Sequence, residues 1–307
     1  MKMKEIAYLF SGQGSQKPGM GKELYDENEI AREIFNRAEN ALPDVSMKGL
    51  CFESGDEELK KTENTQPALY TLAYAIYRVL VEKGYSGEVF AGHSLGEYTA
   101  VAAAGYVAFE EGLRIVRKRG ELMRDCDPER RGGMAAVIGL DEDAIREICD
   151  QVGEVYPANF NSPSQVVISG MKDRVQQAME QIKERGARRT VLLNVSGAFH
   201  TPFMKDAAEE LRKELESAQW QRGTGKIVSN VTAVASDLPS KIRDNLVRQL
   251  DAPILWSSSM KTLLDLGYVR YIEAGPGTVL RSLMKAQGRD AQVFSVEKPA
   301  DIVTLNG

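Results

Sequence analysis

Short apolar runs and longer helical repeats alternate along the chain, and this pattern predicts an α/β protein. Short, mainly apolar runs that lead into glycine-containing turns predict buried strands at 6–10 and 87–92. Apolar positions three and four residues apart predict helices in the first half of the chain, at 23–42, 66–83, 97–104 and 109–125. Similar segments return after residue 198, as a helix at 204–219 and strands at 227–231 and 269–273.

A different order of elements occupies the middle of the chain. The pattern there gives a β-α-β-β-α-β series, with predicted segments at 134–140, 141–152, 156–161, 165–169, 172–185 and 189–195. This order is typical of the ferredoxin-like arrangement, and Asp141 is placed as the N-cap of its first helix. We therefore predict an α/β-hydrolase-like core with a parallel sheet, formed by 1–129 and 198–307, and an inserted ferredoxin-like subdomain at 130–197.

Composition and charge narrow the classes of function. The 307 residues are 43% hydrophobic and 27% charged, which is ordinary for a globular protein. A net charge of -5 provides no general attraction to nucleic acid or to an anionic membrane. The apolar stretch at 6–10 is too short for a signal peptide core, and the run at 100–109 is about half of the ~20 residues that span a membrane. We therefore expect a cytoplasmic protein.

Cysteine and histidine are scarce. The three cysteines, Cys51, Cys126 and Cys149, lie far apart, so they are expected to be reduced packing residues. With two histidines and no clustered ligands, the sequence predicts no zinc or other metal site.

The pentapeptide GHSLG at 92–96 lies between a predicted strand and a predicted helix. A Gly-x-Ser-x-Gly turn in that position holds the serine exposed at a helix N-terminus, since larger neighbours would clash. Ser94 is therefore a candidate nucleophile, and the backbone N–H of Leu95 is a candidate oxyanion donor. The alternative is that Ser94 is an N-cap in an ordinary βα turn.

A nucleophilic serine needs a general base, and the chain offers two histidines. Adjacent side chains in a sharp turn point apart, so His93 is expected to pack on the core side. His200, in a loop before the next predicted helix, is the remaining candidate, although a lone histidine is often structural. Asp206 and Glu273 are possible orienting groups, as is a backbone carbonyl.

Arg119 lies within the apolar stripe of its predicted helix. Its neighbours three and four residues away are all apolar: Ile115, Val116, Leu122 and Met123. A charge there is costly unless it is paired. Its partner is either an internal carboxylate or a ligand carboxylate, which would suit a dicarboxylic acyl group such as malonyl.

Together the motifs of this chain resemble the malonyl-CoA:acyl-carrier-protein transacylases. They stand in order along residues 5–298, as FSGQGSQ at 10–16, NTQPAL at 64–69, AGHSLGEY at 91–98, RG at 119–120, GMAAVIGL at 133–140, NFNSP at 159–163, GAFH at 197–200 and EAGPG at 273–277. The resemblance implies ping-pong transfer of malonyl from malonyl-CoA, through a serine ester, to the phosphopantetheine thiol of acyl carrier protein. It implies no resident cofactor.

The resemblance also implies roles for individual residues. Ser94 would be the nucleophile and His200 its base, oriented by the backbone carbonyl of Gln249. Gln13 and the Leu95 N–H would hold the oxyanion. The substrate would be bound by Arg119, at its carboxylate, and by the remaining residues Gln66, Met123, Asn161 and Phe199.

Two further features leave alternatives open. The bulk of Phe199 would disfavour an α-methyl branch, unless the ring merely packs its own loop. Arg188 and Arg189 form a basic patch with Lys183 and Arg185, which would attract CoA phosphates or an acidic carrier protein, or be a solvated surface.

Other functions compete with the main interpretation. Many relatives carry lysine where this chain has Thr278, and freestanding acyltransferases that serve polyketide synthases share the same motifs, so the pathway stays open. A second hypothesis is an acyl hydrolase that proofreads carrier proteins, which Arg119 disfavours. A third is an inactive structural subunit, disfavoured by the presence of both nucleophile and base. We expect a monomer.

Overall fold

The computed structural model describes residues 6–127, 129, 131–195, 197–288 and 291–306. The predicted domain limits at 1, 130 and 307 lie outside these residues. The strands are β1 (Ile6–Phe10), β2 (Gly87–Gly92), β3 (Gly132–Ile138), β4 (Val155–Ser162), β5 (Gln165–Met171), β6 (Arg189–Leu192), β7 (Lys226–Val228), β8 (Ala235–Ser236), β9 (Arg270–Ala274) and β10 (Gln292–Val296).

The α-helices precede and follow these strands along the chain. They are α1 (Lys22–Glu27), α2 (Glu29–Ala41), α3 (Asp56–Leu59), α4 (Thr62–Glu82), α5 (Leu95–Ala103), α6 (Phe109–Asp125), α7 (Glu142–Val152), α8 (Lys172–Glu184), α9 (Lys205–Ser217), α10 (Pro239–Arg248), α11 (Trp256–Asp265), α12 (Val279–Lys285) and α13 (Pro299–Val303). No helix in the described part of the chain is both long enough and apolar enough to cross a membrane.

A six-stranded sheet in the order β10-β9-β1-β2-β7-β8 forms the core. Its strands pair in parallel except β8, which pairs antiparallel with β7 at the edge. Helices cover both faces, so β1 is apolar throughout: Tyr8 and Phe10 belong to one hydrophobic cluster, and Ala7 and Leu9 to the other. The predicted parallel sheet is confirmed.

The second sheet is antiparallel, with the order β4-β5-β3-β6. Its strands and the helices α7 and α8 alternate as a ferredoxin-like unit requires, which confirms the predicted arrangement. The Asp141 side chain accepts a hydrogen bond from the Asp143 N–H and caps α7, as expected. The limits of a subdomain at 130–197 stay a prediction.

Helix α4 begins four residues before the predicted start at residue 66 and runs through Pro67. Proline has no N–H, so the carbonyl of Glu63 loses its usual partner within the helix. Nη1 of Arg117 on α6 donates to that carbonyl at 2.7 Å. A residue from a neighbouring helix therefore compensates for the proline.

Candidate active site

Ser94 lies at the turn between β2 and α5, with φ of 50° and 9% of its surface exposed. The turn accepts only glycine at the positions two residues before and two residues after Ser94. A Cβ on Gly92 would lie 1.9 Å from the carbonyl carbon of Gly96, and a Cβ on Gly96 would lie 2.1 Å from the carbonyl oxygen of Phe10. The close packing of β1, β2 and α5 thus forces Ser94 into the left-handed backbone region.

Two side-chain amides hold the backbone of Ser94 in this conformation. Its N–H donates to Oδ1 of Asn230 at 2.8 Å, and its carbonyl accepts from Nε2 of Gln249 at 2.9 Å. Asn230 also donates from Nδ2 to the carbonyl of Gly92, at 2.8 Å. The strained turn is therefore fixed by groups from outside the motif.

His200 also has a positive φ, 60°, and is buried. Its Nε2 lies 2.8 Å from Oγ of Ser94, and its Nδ1 lies 2.8 Å from the backbone carbonyl oxygen of Gln249. Because a carbonyl only accepts, Nδ1 carries the hydrogen and Nε2 is free to accept from the Ser94 hydroxyl. Burial, reinforced by the charge of Arg119, lowers the pKa of His200 to about 3, so the imidazole is neutral.

The two carboxylates considered as orienting groups lie elsewhere. Asp206 is exposed on α9. Glu273 is buried, but it accepts hydrogen bonds from the backbone N–H groups of Leu280 and Arg281 and from the Ser295 hydroxyl. It therefore holds the glycine-rich turn after β9, and the group that contacts His200 is a carbonyl.

The side chain of His93 points toward partners other than Ser94. Its ring packs edge-on against buried Trp256, with centroids 5.3 Å apart, and its Nε2 lies 2.8 Å from Oδ1 of Asn161. Burial lowers the pKa of His93. His93 thus joins the core to β4.

Arg119 is 1% exposed and reaches the nucleophile from α6. Its Nη2 donates to Oγ of Ser94 at 3.1 Å and to Oε1 of Gln249 at 3.0 Å, and its Nη1 donates to Oε1 of Gln66 at 2.7 Å. The guanidinium lies over the Tyr98 ring, 5.1 Å from its centroid. All three acceptors are neutral, and among the described residues Nε has no hydrogen-bond partner. The guanidinium is a buried cation without a carboxylate among these acceptors.

A cavity of about 490 Å³ opens in front of Ser94, between the parallel sheet and the second sheet. Its walls include half of the predicted site residues: Gln13, Ser94, Met123, Asn161, Phe199 and His200. A Cβ on Gly12 would lie 2.3 Å from the His93 carbonyl oxygen, so the loop that carries Gln13 packs directly on the turn. Leu95 is the first residue of α5.

Other predicted residues lie outside the cavity wall. Gln66 is completely buried behind Arg119, where its Nε2 also donates to the hydroxyl of Thr62 and contacts Sδ of Met123. Arg188 and Arg189 are exposed at the start of β6. Thr278 is exposed immediately before α12, whose residues Val279, Leu280 and Leu283 line the cavity.

Sequence reasoning missed two buried polar residues of this site, Asn230 and Glu97. Asn230 follows β7, and polar residues at the carboxyl ends of parallel strands are a general signal for a site. Glu97 lies in the motif around Ser94, but its partners come from distant segments. The described residues contain no group of three or more histidine, cysteine or carboxylate side chains that could hold a metal ion.

Comparisons with known proteins identify the family of the chain. The family described as acyl transferase domain matches residues 7–302. A malonyl CoA-acyl carrier protein transacylase of Bacillus subtilis is 41% identical, over 98% of this chain and 96% of the relative. One of Staphylococcus aureus is 39% identical, over 99% of both chains.

Solved structures give the same result. The malonyl-CoA:acyl carrier protein transacylase of Xanthomonas oryzae is 38% identical, with a TM-score of 0.95 over 99% of this chain and 98% of that one. A malonyl-transacylase in complex with its type II PKS acyl-carrier protein is 37% identical, with a TM-score of 0.95 over 99% of this chain and 100% of that chain. The chain therefore belongs to the acyl transferase domain family, among the malonyl CoA-acyl carrier protein transacylases.

Proposed function

We propose that this protein transfers a malonyl group from malonyl-CoA to the phosphopantetheine thiol of acyl carrier protein, through an ester on Ser94. The observation that carries the proposal is the convergence of two groups on one atom. Oγ of Ser94 lies 2.8 Å from a neutral imidazole and 3.1 Å from a buried guanidinium. A base and a carboxylate-binding group thus meet at the nucleophile.

In the first half-reaction Ser94 attacks the thioester carbonyl as its proton moves to Nε2 of His200. The Gln249 carbonyl accepts from Nδ1–H, which keeps the tautomer correct and stabilises the imidazolium that forms. Gln13 and the Leu95 N–H stabilise the oxyanion. Collapse of the tetrahedral intermediate expels the CoA thiolate, which takes the proton from His200.

In the second half-reaction the carrier protein thiol gives its proton to His200 and attacks the Ser94 ester. The ester breaks, and Oγ of Ser94 recovers the proton. The acyl group passes from the sulfur of CoA to Oγ of Ser94 and then to the sulfur of the carrier protein, with no change of oxidation state, so the proposal needs no metal or redox cofactor. The relatives named for acyl carrier protein support the choice of acceptor.

Arg119 supplies selectivity for a carboxylated acyl group. Once Oγ of Ser94 becomes an ester oxygen it is a weaker acceptor, so Nη2 is released toward the malonyl carboxylate. Gln66 holds Nη1 in place from behind, at 2.7 Å. Asn161, Met123 and Phe199 form neutral walls, and Phe199 limits the space for an α-methyl branch.

The proposal extends to the setting of the reaction. Arg188 and Arg189 form an exposed basic patch that attracts CoA phosphates or an acidic carrier protein. The enzyme works as a monomer in the cytoplasm, in fatty-acid or polyketide synthesis.

Intact-mass measurement tests the proposal. Malonyl-CoA should add one malonyl group to the protein but not to the Ser94→Ala variant, and holo carrier protein should remove that group and gain it. Release of free malonate at the same rate with and without carrier protein would instead identify a hydrolase. Absence of any adduct would identify an inactive subunit.

A further inference from the structure

Glu97 is a buried carboxylate, 1% exposed, that the proposed reaction does not use. It lies in the first turn of α5. Its Oε2 accepts from Nε2 of Gln249 at 2.7 Å and from the backbone N–H of Asn230 at 3.3 Å. Both donors are neutral, and a buried carboxylate with neutral partners needs a counter-charge nearby.

The guanidinium of Arg119 supplies that charge through one intervening amide. Oε1 of Gln249 accepts from Arg119 at 3.0 Å, while Nε2 of the same side chain donates to Glu97. A carboxylate only accepts and a guanidinium only donates, so the two charges together fix the orientation of the Gln249 amide. The three side chains form an ion pair separated by one amide group.

Few other titratable groups act on Glu97. Tyr98 on the same helix interacts with it electrostatically, and burial raises the pKa of that phenol to about 12, so it stays neutral. Arg119 comes from α6, while Gln249 and Asn230 approach as neutral donors from the loops after α10 and β7. Within the described residues, α4, β1, β2 and β7 supply none of the charges that shift its pKa.

We propose that Glu97 is the resident counter-charge of Arg119, and that it takes up one proton from solvent when the carboxylate of a bound malonyl group pairs with Arg119. The inference rests on the proposed function, because it takes malonyl as the ligand of Arg119. Glu97 is then a positioning residue that determines specificity, since only an acyl group with a carboxylate competes with it.

The physical reason is the balance of buried charge. One positive and one negative group balance in the empty site, and the malonyl carboxylate adds a second negative charge close to the same cation. Two carboxylates in a site of low polarity raise each other's pKa. Because the malonyl carboxylate is the one that pairs with Arg119, the Glu97 carboxylate is neutralised by a proton from solvent.

The sign of the pH dependence follows from linkage. Burial raises the pKa of Glu97 to about 7 in the empty site, against the lowering effect of the hydrogen bonds from Gln249 and Asn230 and, to a smaller extent, of the charge of Arg119. Below that pH the carboxyl already holds its proton, and the Kd of malonyl-CoA should be flat. Above it, binding must take up a proton, so Kd should rise by up to about tenfold per pH unit. Acetyl-CoA should not show this rise.

Calorimetric titration of the Ser94→Ala variant, which binds without acyl transfer, measures the proton directly. Binding enthalpies of malonyl-CoA and acetyl-CoA in two buffers of different ionisation enthalpy give the protons taken up by each ligand. At about pH 8 we expect nearly one proton more for malonyl-CoA. Equal uptake for the two ligands overturns the inference, and this result needs no substitution at Glu97.

Two matched variants test whether Glu97 is the group that takes up the proton. Ser94→Ala/Glu97→Gln keeps the acceptor for Gln249 but removes the charge, so the excess uptake and the rise of Kd above pH 7 should disappear. Ser94→Ala/Glu273→Gln changes another buried glutamate, which lies beside Ser295, and should keep both. Excess uptake that persists with Glu97→Gln, or that disappears equally with Glu273→Gln, overturns the assignment.

The two proposals fail in different ways. If malonyl-CoA leaves no adduct on Ser94 in the unaltered protein, the proposed function fails. If the adduct forms and passes to carrier protein but malonyl-CoA brings no excess proton, only the role of Glu97 fails.

Discussion

The two walls of the cavity differ in chemical character. The wall formed by the parallel sheet and its helices carries Ser94 and His200, and buried Arg119 on α6 donates a hydrogen bond to Oγ of Ser94. The wall formed by the second sheet presents neutral or apolar residues: Met134, Ala136, Asn161 and Val167. The groups that react therefore lie on the side of the parallel sheet, while the second sheet shapes the space in front of them.

The two walls are nevertheless held together by the backbone. The N–H of Phe160 donates to the carbonyl of Ile254 at 2.9 Å, and the N–H of Ile254 donates to the carbonyl of Ala158 at 2.9 Å. These bonds join β4 to the segment before α11.

Substitutions on the first wall should change chemistry, and substitutions on the second should mainly change binding.

The largest effect is expected for Ser94→Ala. Loss of the nucleophile should lower kcat for malonyl transfer by about 10⁴- to 10⁶-fold. Steady-state transfer assays measure this. Ser259→Ala, a buried serine on α11, should retain activity within about threefold. A Ser94→Ala variant with a few per cent of the original rate would place the chemistry elsewhere.

Arg119→Ala should lower malonyl transfer by about 10²- to 10⁴-fold, because a hydrogen bond to a charged group is worth ~1.5–3 kcal/mol and two such bonds are lost. Transfer from acetyl-CoA should be unchanged or faster. Arg117→Ala, on the same helix, should affect both substrates equally, since Arg117 pairs with Glu121 and the Glu63 carbonyl. Equal losses for Arg119→Ala would make Arg119 structural.

As the pH falls to about 5.5, kcat/KM should not decrease through protonation of His200. A histidine of ordinary pKa would lose about tenfold in kcat/KM there, because the base would be protonated. The pKa of about 3 keeps His200 deprotonated, and its acid limb should appear only at lower pH. An acid limb centred near pH 6.5 would contradict this assignment.

The smallest effect is expected for the double variant Arg188→Ala/Arg189→Ala on the second sheet. Exposed charges steer encounters, so KM for carrier protein or CoA should rise by about threefold at low salt, and less at high salt. Arg174→Ala on α8 is the matched control. A large fall in kcat would mean that the subdomain of the second sheet takes part in the chemistry.

The sequence predicted β2 and α6 with their observed limits, because the apolar pattern of each element begins and ends within its own segment. The start of α4 was four residues late. The proline within this helix leaves the Glu63 carbonyl without its helical partner, and Arg117, 54 residues away along the chain, donates a hydrogen bond to that carbonyl instead. Such compensation depends on tertiary packing, which local patterns do not contain.

The same limit applies to the site. Ser94, His200 and Arg119 were accessible because each stands in an unusual local setting, and the resemblance added the backbone carbonyl of Gln249. Asn230, Glu97 and the side-chain contacts of Gln249 were not accessible, since a buried polar side chain acquires a role only through the groups it faces. Gln66 was expected at the substrate, yet it lies behind Arg119.

The positive φ angles of Ser94 and His200 have a consequence for engineering. Such backbone conformations typically cost about 1–3 kcal/mol each in a non-glycine residue. Replacement of Ser94 by glycine should therefore raise the melting temperature while it removes activity, whereas glycine in place of buried His200 also leaves a cavity and an unpaired Gln249 carbonyl. A selection for heat resistance alone would favour an inactive enzyme at Ser94, so stabilised variants of this protein should be screened for turnover at every round.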